Sequence, residues 1–152
     1  MEKIVNVIGG GLAGCECAYQ LAKRGIFVNI FEMKPKFTPA HKNENLAELV
    51  CSNSLKNSSL ENAAGLLKEE MRHLDSLIIK CADLTKVPAG AALAVDRDEF
   101  AKMITKEIRE NPLIEVINEE VLEIPKDKIV IVASGPLTEG DLALDIKNLT
   151  SS

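Results

Sequence analysis

The sequence is first notable for what it lacks. No apolar run reaches the roughly 18 residues that a membrane-spanning helix needs, and no signal-peptide pattern opens the chain. The expected compartment is therefore the cytoplasm, with no membrane partner. The four cysteines, Cys15, Cys17, Cys51 and Cys81, form no C-x-x-C pair, and Cys15 and Cys17 point to different faces of a predicted helix. Neither a zinc site nor a disulfide framework is expected, and no metal is assigned. Positive charge is in deficit: 18 Lys and Arg stand against 23 Asp and Glu, a net charge of −5. Tight nucleic-acid binding by this segment alone is disfavoured, because cationic side chains supply most of that affinity. There is no internal repeat, low-complexity tract or interdomain linker.

The 152 residues, 46% of them apolar and 27% charged, make a chain of one ordinary domain's size. Lys3 to Ile8 is a β-branched run ahead of three glycines, Leu12 to Lys23 has helical spacing, and Gly25 ends that helix. Ile26 to Phe31 reads as a second buried strand, which makes a β-α-β unit with parallel strands. Residues 33–57 hold two prolines and little periodicity and are expected to form one long active-site loop. Ser58 and Glu61 have capping-box spacing before a helix expected from Leu60 to Leu74. Leu93 to Val95 suggests a short strand, and Asp96 with Glu99 should cap a helix bearing Phe100, Met103, Ile104 and Ile108 on one face. Ile114 to Ile117, Val121 to Ile124 and Ile129 to Ala133 read as three further strands, and Thr138 as the cap of a last helix.

The chemistry concentrates in Gly9-Gly10-Gly11-Leu12-Ala13-Gly14. A glycine triplet alone is weak evidence, since tight turns use the same residues, but this one follows a strand and opens a helix. Gly9 suits the turn, Gly11 lets backbone approach a pyrophosphate, and Gly14 lets helix and strand pack closely. The helix N-terminus offers N–H groups and partial positive charge to phosphates. Glu32, at the end of the second strand, stands where a carboxylate accepts hydrogen bonds from ribose hydroxyls and repels a 2′-phosphate. These residues predict a bound dinucleotide and leave FAD and NAD both open. Ile129 to Gly135, a strand ending in a small-small-Gly turn, is similar to the second fingerprint of two-fingerprint flavoproteins and tilts the choice to FAD. An ordinary strand ending in glycine has the same pattern.

Seven strings extend over nearly the whole chain: GGGLAG, FEMKP, TPAH, AELVCSNSLK, AAGLLKEEM, VPAGAALAVDRDEF and VASGPLT. Together they resemble the bacterial folate- and FAD-dependent tRNA (uracil-5-)-methyltransferases. AELVCSNSL and PAGAALAVDRD are the specific ones, since no generic dinucleotide-binding need explains them. The resemblance implies an α/β, Rossmann-type FAD-binding domain of the two-fingerprint type, seen as an N-terminal part spanning 1–152. It also implies C5-methylation of uridine in the T-loop of tRNA, with 5,10-methylenetetrahydrofolate as one-carbon donor, FAD as redox cofactor and NADH or NADPH as reductant. Two other readings stand beside it: another flavin-dependent tRNA-modifying protein, or a nucleotide-binding fragment without turnover.

The cofactor-binding residues expected on this basis are Gly9, Gly10, Gly11, Leu12, Ala13, Gly14, Glu32 and Gly135. The resemblance places the reactive thiol at Cys51 in AELVCSNSL, with a second cysteine expected beyond Ser152, and leaves open whether Cys51 attacks the base or handles the transferred carbon. A buried structural role is the commoner fate of a lone cysteine. Cys15, Cys17 and Cys81 are expected to pack. His41, Asn53, Ser54 and Arg97 are candidates for contact with flavin or substrate. Asp96 already has a sufficient task as a helix cap, and Lys68-Glu69-Glu70 and Lys106-Glu107 read as solvated helix faces.

Overall fold

The computed structural model describes residues 4–36 and 40–150. Thr38 and Pro39 of the TPAH string and Lys3 of the first predicted strand lie outside them. Among the described residues, no helix is long and apolar enough to cross a membrane.

Strands β1 (Ile4–Ile8) and β2 (Phe27–Phe31) are joined by helix α1 (Leu12–Ala22), as the hydrophobic pattern requires. They pair in parallel with Val5 opposite Val28 and Val7 opposite Ile30. Gly25, at φ +74°, turns the chain out of α1, and its N–H donates to the Ala22 carbonyl. The chain then leaves the sheet and forms β3 (Ser54–Asn57), α2 (Ala63–His73), α3 (Leu77–Leu84), β4 (Lys86–Val87), β5 (Ala92–Val95) and α4 (Arg97–Arg109). It returns as β6 (Ile114–Ile117) and β7 (Ile129–Val132) and continues into α5 (Gly140–Thr150).

Two sheets result. The first is parallel, in the order β6-β2-β1-β7, so the chain builds outward on one side of β1 and then crosses to the other. Such a reversal opens a crevice at the carboxyl ends of the central strands, where ligands of open α/β sheets bind. The second is a small antiparallel sheet, β3-β5-β4. One core joins the inner face of the parallel sheet (Val5, Val7, Val28, Ile30) to α1, α3 and α4 through Cys15, Ala18, Leu77, Cys81, Phe100, Ile104 and Ile108.

Five expectations need correction. Lys68 is not on a solvated helix face: it is buried, and its Nζ donates to the Asn57 and Ala64 carbonyls. Val121 to Ile124 is not a strand. The segment leaves the sheet after Ile117, and the Ile124 N–H donates 2.8 Å to Asp145 Oδ2 instead of entering a ladder. The 33–57 loop ends sooner than expected, because Ser54–Asn57 pairs with β5 as β3. The cap of α2 is Asn62, whose side chain accepts from the Ala64 N–H, and not Ser58 with Glu61; α2 itself begins at Ala63, later than Leu60. The last helix begins at Gly140, beyond Thr138, whose hydroxyl is spent on Ser134 Oγ and the Gly135 carbonyl.

Candidate functional site

Each glycine of the turn answers to a different neighbour. Gly9 adopts φ +105°, and a Cβ there would stand 2.5 Å from the Ala133 carbonyl oxygen. The first strand-to-helix turn is therefore packed against the end of β7. A Cβ on Gly14 would meet the Gly9 carbonyl at 1.9 Å, so helix and turn are in direct contact. A Cβ on Gly10 would strike both Leu46 Cδ2 at 2.6 Å and Glu32 Oε2 at 2.7 Å. Gly11 differs: nothing lies within 4 Å of its Cβ position, and Gly11 and Ala13 are exposed. No side chain caps α1, whose N-cap is Gly11. The first turn of the helix thus presents its N–H groups to open space, the arrangement that receives a phosphate.

Glu32 ends β2 as expected, but it is 8% exposed and its carboxylate is already engaged. Oε2 accepts from the Gly10 N–H at 2.8 Å and Oε1 from the Lys34 N–H at 3.1 Å. Each oxygen keeps one lone pair for a further donor.

The loop after β2 is fastened onto the same turn. The Ala47 N–H donates 2.8 Å to the Gly10 carbonyl, so Gly10 is bound from both sides, and the Leu46 N–H donates to Thr105 Oγ1 on α4. Lys34 is buried at 4% exposure and reaches back across the loop. Its Nζ donates 2.6 Å to the Asn45 carbonyl and 2.8 Å to Glu48 Oε2, while its own carbonyl accepts from Asn118 Nδ2. Glu48 Oε1 accepts from the Lys42 N–H. Burial raises the Glu48 carboxyl, but the Lys34 ammonium and the loop N–H groups outweigh it and hold the group below its ordinary value.

Cys51 lies between this fastened segment and β3, and it is exposed. Asn53 Nδ2 donates to the Val95 carbonyl and the Val95 N–H to the Asn53 carbonyl, which brings the end of the cysteine segment to the end of β5 and the start of α4. Arg97, the first residue of α4, is exposed at that same end. Ser54 is half-buried and paired opposite Ala94, and its Oγ accepts from the Lys56 N–H. His41 is half-buried in the loop, and Gly135, at φ +79°, is exposed beyond β7. Cys15 and Cys81 are core residues, their thiols pushed by burial up to about 12 and about 11. Lys34, Leu46, Glu48 and Ala133 went unassigned in the sequence, although FEMKP and AELVCSNSLK contain Lys34 and Glu48.

A parallel sheet flanked by helices, with a glycine turn at its switch point and an acid closing β2, defines a Rossmann-type domain. The family model described as glucose inhibited division protein A matches residues 4–150, and the chain belongs to that family. Among curated relatives, the methylenetetrahydrofolate–tRNA-(uracil-5-)-methyltransferase TrmFO of Acetivibrio thermocellus is 67% identical over 94% of this chain and 33% of its own length. The protein of the same name from Lactobacillus johnsonii is 62% identical over 97% and 34%. The chain thus spans about a third of the length of these relatives. Among solved structures, Aquifex aeolicus GidA superposes with a TM-score of 0.64 at 21% identity, covering 84% of this chain and 21% of that one. CtdE in complex with FAD gives 0.58 at 15% identity, over 98% and 41%. At such identities the likeness is one of fold.

Proposed function

We propose that this chain forms the FAD-binding part of an enzyme that methylates uracil at C5 in tRNA, taking its carbon from 5,10-methylenetetrahydrofolate and its reducing equivalents from NADH or NADPH. The observation that carries the proposal is the union of an uncapped glycine turn with a cysteine-bearing loop fastened to it. The 67% identity to a protein named for that reaction supplies the substrate class. FAD, when bound, supplies the redox chemistry that no side chain here provides.

The chain's own residues divide the remaining work. The N–H groups from Gly11 to Ala13 receive the pyrophosphate, and Gly11 leaves room for it. Glu32 fixes Gly10 and offers its remaining lone pairs to ribose hydroxyls. Gly135, beyond β7, borders the same crevice. Cys51 is the thiol that serves carbon transfer. Uracil C5 is a weak nucleophile, and a thiolate adding to C6 shifts the C5–C6 electron pair onto C5; that thiolate leaves again when the C5 proton is lost. His41, Asn53, Ser54 and Arg97 line the approach, with Arg97 the cation available to substrate phosphate or carboxylate.

A second reading, another flavin-dependent tRNA-modifying enzyme, draws on the family model and on the fold likeness to GidA. The 67% identity to the methyltransferase favours the first reading.

The test is Cys51→Ala in the full-length protein, assayed with labelled methylenetetrahydrofolate and unmodified tRNA at equal flavin content. Methyl transfer should fall by at least about a hundredfold, the usual scale for loss of a nucleophile or general acid–base group. Undiminished transfer overturns the role of Cys51. A denaturation-stable adduct of the unmutated protein with 5-fluorouridine-containing tRNA, absent in the variant, assigns the thiol to the base.

A further inference from the structure

We infer that the buried Lys34–Glu48 ion pair is a positioning device that couples occupancy of the glycine turn to the placement of Cys51. The inference rests on the proposal that the turn holds FAD.

Lys34 and Glu48 span the loop that separates the turn from the cysteine, and their side chains are 5% and 9% exposed. Two buried charges lose their hydration, and only a well-formed set of hydrogen bonds offsets that loss. Here the set is extensive. Lys34 Nζ holds Asn45 and Glu48 directly, and Lys42 joins them through the Glu48 carboxylate, so the 42–48 segment closes on one ion pair. An apolar pair would fill the same space without fixing which loop atoms meet.

What the clamp fixes is the contact with the turn. Between the clamped residues lie Leu46, whose side chain packs on Gly10, and Ala47, whose N–H bonds the Gly10 carbonyl. Gly10 in turn donates to Glu32, and Glu32 accepts from the N–H of Lys34 itself. A closed circuit runs from Gly10 through Glu32, Lys34 and Glu48 to Ala47 and back to Gly10. A ligand seated on the next residue, Gly11, stiffens that circuit. The chain leaves it at Glu48 and passes directly to Cys51. Conversely, a loop free of the clamp lets Cys51 wander without disturbing Gly9 and Gly14, whose packing on Ala133 and on the turn is independent of it.

Coupling of this kind is read from the thiol. In the full-length protein, the rate of iodoacetamide modification at Cys51, resolved by mass spectrometry, is measured with and without saturating FAD. FAD should slow it about tenfold, an ordinary strength for communication between two sites. In Lys34→Met the ratio should fall to near one, with FAD still bound at saturation. The isosteric Glu48→Gln should lower it to an intermediate value, and that variant carries the test if Lys34→Met does not fold. A pair with a merely structural task would lower the melting temperature and leave the ratio at tenfold; that result in either folded variant overturns the inference, as does a ratio of one in the unmutated protein. Failure of the unmutated protein to bind FAD removes the proposed function and this inference together. Full methylation by Cys51→Ala, with the tenfold ratio intact in the unmutated protein and lost in Lys34→Met, removes the catalytic role of Cys51 and leaves the coupling standing.

Discussion

Gly11 and Gly14 share a motif, but substitution should separate their tasks. Gly11→Ala adds a methyl where nothing lies within 4 Å, so the melting temperature should hold while FAD affinity drops. Gly14→Ala drives a carbon to 1.9 Å from the Gly9 carbonyl, and forcing turn and helix apart should cost about 1–3 kcal/mol. Thermal unfolding beside flavin titration distinguishes the two; equal destabilisation by both variants would show that Gly11 is held by protein contacts. Gly10 stands apart from both, since a side chain there displaces Leu46 and Glu32 and so disturbs the loop before it meets any ligand. Cys15 belongs to the same neighbourhood but not to its chemistry. Its Sγ donates to the Gly10 carbonyl at 3.4 Å, fully buried, and a thiol pushed up to about 12 stays protonated at neutral pH.

Among the elements, those with a two-sided environment were legible. α1, α4, β1 and β2 carry periodic apolar stripes or β-branched runs, and Asp96 caps α4 as its position implied, accepting from the Asp98 and Glu99 N–H groups. Asp96→Ala should therefore destabilise the domain by about 1 kcal/mol, seen as a shift of the urea midpoint with unchanged slope. α3 escaped notice because Leu77, Ile78, Ile79, Cys81 and Ala82 are all buried, which erases the polar face that reveals a helix. β3 and β4 are short and take their shape from β5, a tertiary partner that no local pattern announces. The glycine turn could be read because its residues answer to backbone geometry at fixed spacing. The Lys34–Glu48 clamp could not, since two charges in a loop look the same whether they face water or each other.

For the whole molecule, the same clamp contributes to the acid limb of stability. Burial pushes the Glu48 carboxyl up, but Lys34 and the N–H groups of Lys42 and Asn43 prevail, so the folded group titrates below its ordinary 4.5. As pH falls from 4.5 the unfolded chain takes up the proton first. The stability contributed by Glu48 is thus complete above that value and lost as pH drops through the folded one. Glu48→Gln should be less stable near neutrality and show a shallower decline in acid; a parallel offset at every pH would contradict the assignment.

The packing of Gly9 against Ala133 also sets a clock. β1 pairs with β7 at Val5 and Ile129, 129 − 5 = 124 residues apart, so the turn is synthesised well before its rear wall. At ~5–20 residues per second the growing chain spends roughly 6–25 s with β1 made and β7 absent. Throughout that interval the glycines have no Ala133 to rest against, and the Ile8 carbonyl lacks the Ala133 N–H it later accepts. Chains stalled with residue 125 exposed should retain no FAD, whereas those stalled with residue 150 exposed should retain it. Cofactor loading in the cell then waits on the arrival of one strand.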